Sequence, residues 1–91
     1  MKNPNEFSLA LAKVLRMIRT KKNLTMGQVE IIYNIPNTTI GNWENCRTSP
    51  SIEALYKLAK VYGVRMSFIM SAVENELARK KINDSQTETR S

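Results

Sequence analysis

Two short amphipathic stretches, each of about two helical turns, stand in the middle of the chain with only Asn34, Ile35 and Pro36 between them. No other feature limits the fold so tightly. A helix of that length does not hold in water alone, because two turns do not recover the cost of nucleation. A three-residue connection forces a large crossing angle, so the pair reads as a helix-turn-helix unit that other parts of the chain must support. Its boundaries are legible. Thr25-Met26-Gly27-Gln28 is a Thr-x-x-Gln capping box that opens a helix over 26–33. Asn34 is a left-handed stop, and Pro36 and Asn37 open the second helix, over 37–45. Val29 and Tyr33 form the inward pair of the first helix, Ile40 and Trp43 that of the second.

The flanks supply the support. Asn3-Pro4-Asn5-Glu6 reads as a start signal, with Asn3 as the cap and Pro4 at the first helical position. Phe7, Leu11, Val14, Leu15 and Ile18 follow at three- and four-residue spacing, which predicts a helix over 4–22. Asn23 suits its left-handed end. After the loop "CRTSP", Ser51 caps a fourth helix with Ile52, Leu55, Leu58, Ala59 and Tyr62 on its stripe, and Gly63 ends it. A fifth starts near Ser67 and carries Ile69, Met70, Val73 and Leu77. The polar end "NDSQTETRS" is expected to be disordered. The fold class is all-α: a compact five-helix domain over 1–73, an extension of the last helix over 74–82, and a tail over 83–91.

Ninety-one residues allow a single core. The formal charge of +6 favours a polyanionic partner, nucleic acid first and an anionic membrane surface second. No helix pairs a basic face with an aromatic one, so no membrane role is expected. One Cys and no His exclude an intramolecular disulfide and a metal cluster built on them. The usual general base is missing, and no nucleophile elbow, phosphate-cradling glycine loop or His-Glu-x-x-His motif occurs. The expectation is no enzyme, no cofactor and no metal. The start "MKNPNEF" lacks the apolar run of a signal peptide, and no stretch approaches a membrane span. The expected location is cytoplasmic, on the nucleoid when bound.

With Ile40 and Trp43 inward, Asn37, Thr38, Thr39, Gly41, Asn42 and Asn45 lie on the outer arc of the second helix. These are short donors and acceptors, and the arc carries neither Lys nor Glu, which a merely solvated helix favours. The major groove of DNA presents a distinct donor and acceptor pattern for each base pair. Asn pairs bidentately with adenine, Thr offers a hydroxyl and a methyl, and Gly41 leaves room for close approach. No Arg on the arc reads guanine, so A/T-leaning half-sites are expected. Thr25 and Gln28 at a helix start, Lys21 and Lys22 before it, and Arg47, Thr48 and Ser49 after the second helix are the candidates for phosphate contacts.

The ordered pieces "LRMIRTKKNLT", "TTIGNWEN", Pro50 and "IEALYKLAKVYGV" carry a resemblance over about residues 9–71. The chain resembles the Cro and phage-repressor type of helix-turn-helix regulator, the xenobiotic-response-element family. The resemblance implies a five-helical, repressor-like domain that binds double-stranded DNA, usually as a dimer on a palindromic operator. It also implies an ion pair between Glu44, at the family's acidic position in the recognition helix, and Arg19 of the first helix. Three positions depart from the family. Met26 replaces a Gln that touches phosphate and braces a recognition-helix side chain. Glu30 replaces a small residue and must lean outward or find a cation. Cys46 replaces a Gly after the recognition helix, so either a non-glycine residue adopts a left-handed conformation or the loop differs.

The apolar residues of the last helix exceed what a small core needs. Phe68, Met70, Val73 and Leu77 are therefore the expected homodimer face, with a helix that caps the core and frays after Val73 as the alternative. The leading reading is a dimeric autorepressor. The alternatives are an antitoxin that binds a toxin through the fifth helix and tail, and a protein-interaction module without DNA binding.

Overall fold

The computed structural model describes residues 5–90, with side chains described to residue 79. It consists of α1 (Glu6–Lys21), α2 (Met26–Tyr33), α3 (Asn37–Glu44), α4 (Ile52–Tyr62) and α5 (Met66–Arg90), with no strand among the described residues.

The helix starts follow from local chemistry. The Asn5 side chain accepts from the Ser8 N–H at 2.7 Å and caps α1. The cap expected at Asn3 is thus at Asn5, and Pro4 lies outside the described residues. The capping box of α2 closes in both directions. Thr25 Oγ1 accepts from the Gln28 N–H at 3.0 Å, and Gln28 Oε1 accepts from the Thr25 N–H at 2.8 Å. Ser51 caps α4 through the Ala54 N–H at 3.1 Å. Only α3 begins, at Pro36, without a side-chain cap among these four starts.

Four left-handed residues close the first four helices: Asn23, Asn34, Cys46 and Gly63, with φ of 60°, 61°, 63° and 69°. Three of these ends share one pattern of paired bonds. Asn23 N–H bonds Thr20 O and Leu24 N–H bonds Arg19 O; Cys46 N–H bonds Trp43 O and Arg47 N–H bonds Asn42 O; Gly63 N–H bonds Lys60 O and Val64 N–H bonds Ala59 O. This is the Schellman arrangement, which satisfies carbonyls the helix leaves open. The end of α2 carries the simpler single bond, from Asn34 N–H to Glu30 O. At Cys46 the left-handed turn is kept with a non-glycine residue, which settles the two alternatives for that loop.

The core draws on every helix. Val14, Leu15, Val29, Ile40, Leu58, Ile69 and Val73 are each at most 2% exposed. α1 packs on α5 and α3, α2 on α3, and α4 on α5. Three residues placed on apolar stripes face solvent instead: Phe7, Ile52 and Tyr33. Each lies in the first or last turn of its helix, where the neighbouring helices no longer cover the stripe. Val73, expected on a dimer face, is fully buried in the core. Met70 and Leu77 are partly buried against it, so Phe68 alone of the four is exposed.

α5 does not leave the body at Val73. Lys13 Nζ meets Glu76 Oε2 at 2.8 Å, and Leu77 packs on the core, so the domain reaches further along α5 than residue 73. The helix continues to Arg90, past the point where a disordered tail was expected over 83–91. No Gly or Pro follows Gly63 to end it. Ser91 lies outside the described residues.

Candidate nucleic-acid interface

The centre of the site is a buried guanidinium. Arg19, at the end of α1, is 7% exposed. Its Nε meets Glu44 Oε2 at 2.7 Å and its Nη2 meets Glu44 Oε1 at 2.8 Å, a two-pronged bond to the last residue of α3. Its remaining nitrogen, Nη1, donates to the carbonyl of Leu24 at 2.7 Å. Three parts of the chain are thereby tied at one point: the end of α1, the loop before α2, and the end of α3. A lysine has no planar fork and could not make this three-way tie.

The electrostatics agree with a paired, desolvated site. The hydrogen bond to Glu44 holds the Arg19 pKa above its usual value, against the opposing effect of burial. Tyr62 of α4 lies in the same field. Burial, with the Glu44 charge adding, pushes its phenol up to about 12, while Arg19 acts in the other direction.

The residues expected to touch phosphate lie close in sequence to the three tied positions. Lys21 and Lys22 follow Arg19 by two and three positions, Thr25 adjoins Leu24, and Arg47 follows Glu44 by three. All four are exposed, as are Gln28, Thr48 and Ser49. The capping box occupies the Gln28 carbonyl oxygen and a lone pair of Thr25. The Gln28 NH₂ group and the Thr25 hydroxyl proton remain as donors for an anion. The backbone N–H groups of Arg47 and Thr48 both bond Asn42 O, so their contribution comes from their side chains.

On α3, Ile40 is 1% exposed and fixes the inward direction. Asn37, Thr38 and Asn45 are exposed. Thr39, Gly41 and Asn42 are half-buried. Thr39 falls on the flank of the helix rather than at the centre of the arc, because it is one step of about 100° from Ile40. Asn45 stands just past the helix end at Glu44, with its N–H bonded to Gly41 O.

The room expected beside Gly41 is partly filled. A Cβ built there would lie 3.6 Å from Met26 Sδ. Met26, at the first position of α2, is half-buried and packs against the core with its sulfur beside the α3 backbone. Glu30 leans outward and is exposed, so it does not disturb the approach of α2 to α3. The Leu24 carbonyl and the Met26 sulfur were not among the expected features. A backbone acceptor carries no signal in the residue names, and Met26 was read only for the phosphate contact and the bracing of a recognition-helix side chain that it cannot make.

The sequence matches the helix-turn-helix family model over residues 15–69. No curated protein matches the chain. Among solved structures it is similar to the clp gene regulator ClgR from Corynebacterium glutamicum, with 16% identity and a TM-score of 0.83, covering 96% of this chain and 93% of that one. It is also similar to the S. venezulae BldD DNA-binding domain, with 27% identity and a TM-score of 0.68, covering 71% of this chain and 97% of that domain.

Proposed function

This chain belongs to the helix-turn-helix family of DNA-binding regulators, and we propose that it acts there as a dimeric repressor that lays α3 in the major groove. The observation that carries this reading is the tie at Arg19. It joins the end of α1, the loop before α2 and the end of α3, the stretches of chain that carry the exposed Lys21, Lys22, Thr25, Gln28, Arg47, Thr48 and Ser49. Those residues meet phosphates on either side of the groove and fix the position of the helix between them. Asn37, Thr38, Asn42 and Asn45 read base edges, with Gly41 at the close approach and Thr39 at the flank.

The dimer is two-fold, and Phe68 with the exposed side of α5 is its face; Val73 has no part in it. Two α3 helices related this way read half-sites about one turn of DNA apart. No catalytic role belongs to this reading, and the place of action is the cytoplasm. Among the described residues no helix is long and apolar enough to cross a membrane. An antitoxin role, in which a toxin binds the far part of α5, remains the second reading, since α5 continues to Arg90 beyond the body of the domain.

Selection of bound sites from random duplexes at near-physiological salt tests the proposal. The expected result is an enriched palindrome with A/T-rich half-sites. Enrichment of a single unpaired half-site would remove the dimer and keep the DNA-binding regulator. No enrichment above weak, salt-labile binding would sink the reading of α3.

A further inference from the structure

α3 presents almost nothing apolar to a groove: its exposed residues are Asn37 and Thr38, with Asn45 just past its end. The exception comes from the neighbouring helix. Met26 Sδ lies beside Gly41, within 3.6 Å of the point where a side chain at 41 would begin. Gly41 has no Cβ to cover that sulfur. Met26 is half-buried, so part of its apolar side chain stays accessible at the junction of α2 and α3, with its sulfur beside Gly41 of the polar arc.

In the major groove one base pair feature is apolar, the 5-methyl group of thymine. A thioether seated beside a glycine backbone suits a methyl group. It offers no donor or acceptor to the other base edges, and the flexible thioether adapts to the shape it meets. We infer that Met26, seated over Gly41, is a specificity-determining residue that reads the 5-methyl of one thymine in each half-site. The inference rests on the proposed placement of α3 in the major groove. It gives Met26 a base-reading task distinct from positioning on phosphate, and it predicts that 5-methylcytosine at that position binds more tightly than cytosine.

The test uses the full chain and the duplex obtained by selection. Each thymine is replaced in turn by uracil, which removes the methyl and keeps every hydrogen-bonding group. One position per half-site is expected to weaken binding by about fourfold, the effect of uncovering one methyl group. Met26→Leu keeps that penalty and Met26→Gln abolishes it at that position alone. Equal penalties in all three proteins, or none at any thymine in the wild type, would overturn the inference while tight binding still upheld the regulator. Should Met26→Gln fail to fold, the wild-type complex decides by nuclear Overhauser contacts. A contact from the Met26 ε-methyl to a thymine methyl is expected, and its absence refutes the assignment. A chain that binds none of the selected duplexes would refute the placement of α3 instead.

Discussion

At the scale of single residues, the Arg19–Glu44 pair shows how one buried charge dictates its surroundings. The guanidinium has three bonds, all short, and Glu44 is its anionic partner. Two desolvated charges contribute little net stability as a pair, yet removing one leaves the other uncompensated in the interior. Glu44→Ala is therefore expected to cost about 3 kcal/mol, read from the urea midpoint. A loss below about 1 kcal/mol would mean the pair is solvated in solution. Tyr62 gives a second residue-scale prediction. Its phenol ionises at about 12 in the folded chain, against the ordinary value of 10.0. A group whose folded pKa is raised stabilises fully below its unfolded pKa. Between about pH 10 and 12 the unfolded chain releases a proton that the native chain keeps, so stability falls as pH rises through that window. Tyr62→Phe is expected to flatten this fall, worth about 2 kcal/mol, in chemical denaturation followed across the window.

At the scale of helices, the ends are decided more locally than the faces. The capping box of α2 and the left-handed stops at Asn23, Asn34 and Gly63 were legible because a cap involves residues no more than a few positions apart. The start of α1 was read two residues early, since Asn3 and Asn5 are chemically equal candidates and only the folded chain distinguishes them. Cys46 is the costly end. It holds φ of 63° because Arg47 N–H reaches back to Asn42 O at 2.9 Å. Cys46→Gly relieves the crowding of Cβ and is expected to add about 0.5–1 kcal/mol, a few degrees in Tm by scanning calorimetry, without moving α3. An unchanged or lower Tm would show that packing of the half-buried thiol outweighs that strain. The faces are less local. Phe7, Ile52 and Tyr33 fit their stripes by spacing, yet the neighbouring helices stop short of them.

At the scale of the whole molecule, a chain of formal charge +6 that binds DNA as proposed is expected to show a steep salt dependence. With about four phosphate contacts per subunit, a dimer releases enough counterions for a slope of log K against log salt of roughly −7, and a monomer for about half of that. Binding titrations from low to moderate salt, with sedimentation at tens of micromolar protein, separate the two. A slope near zero would leave a protein partner as the remaining reading.

The sequence by itself determined the five helices, the caps that open α2 and α4, and the polar arc on α3, because helical periodicity and capping act over a few residues. A resemblance carried by ordered motifs supplied the pairing of Arg19 with Glu44, which lie 25 positions apart. Only the tertiary structure decided that Leu24 O completes the Arg19 tie, that Val73 belongs to the core, that Lys13 meets Glu76, and that Met26 sits over Gly41. The last three depend on how far one helix overlaps another; the first is local, but a backbone carbonyl carries no signal in the residue names. That overlap is set by packing all the side chains at once, and no short window of the chain contains it.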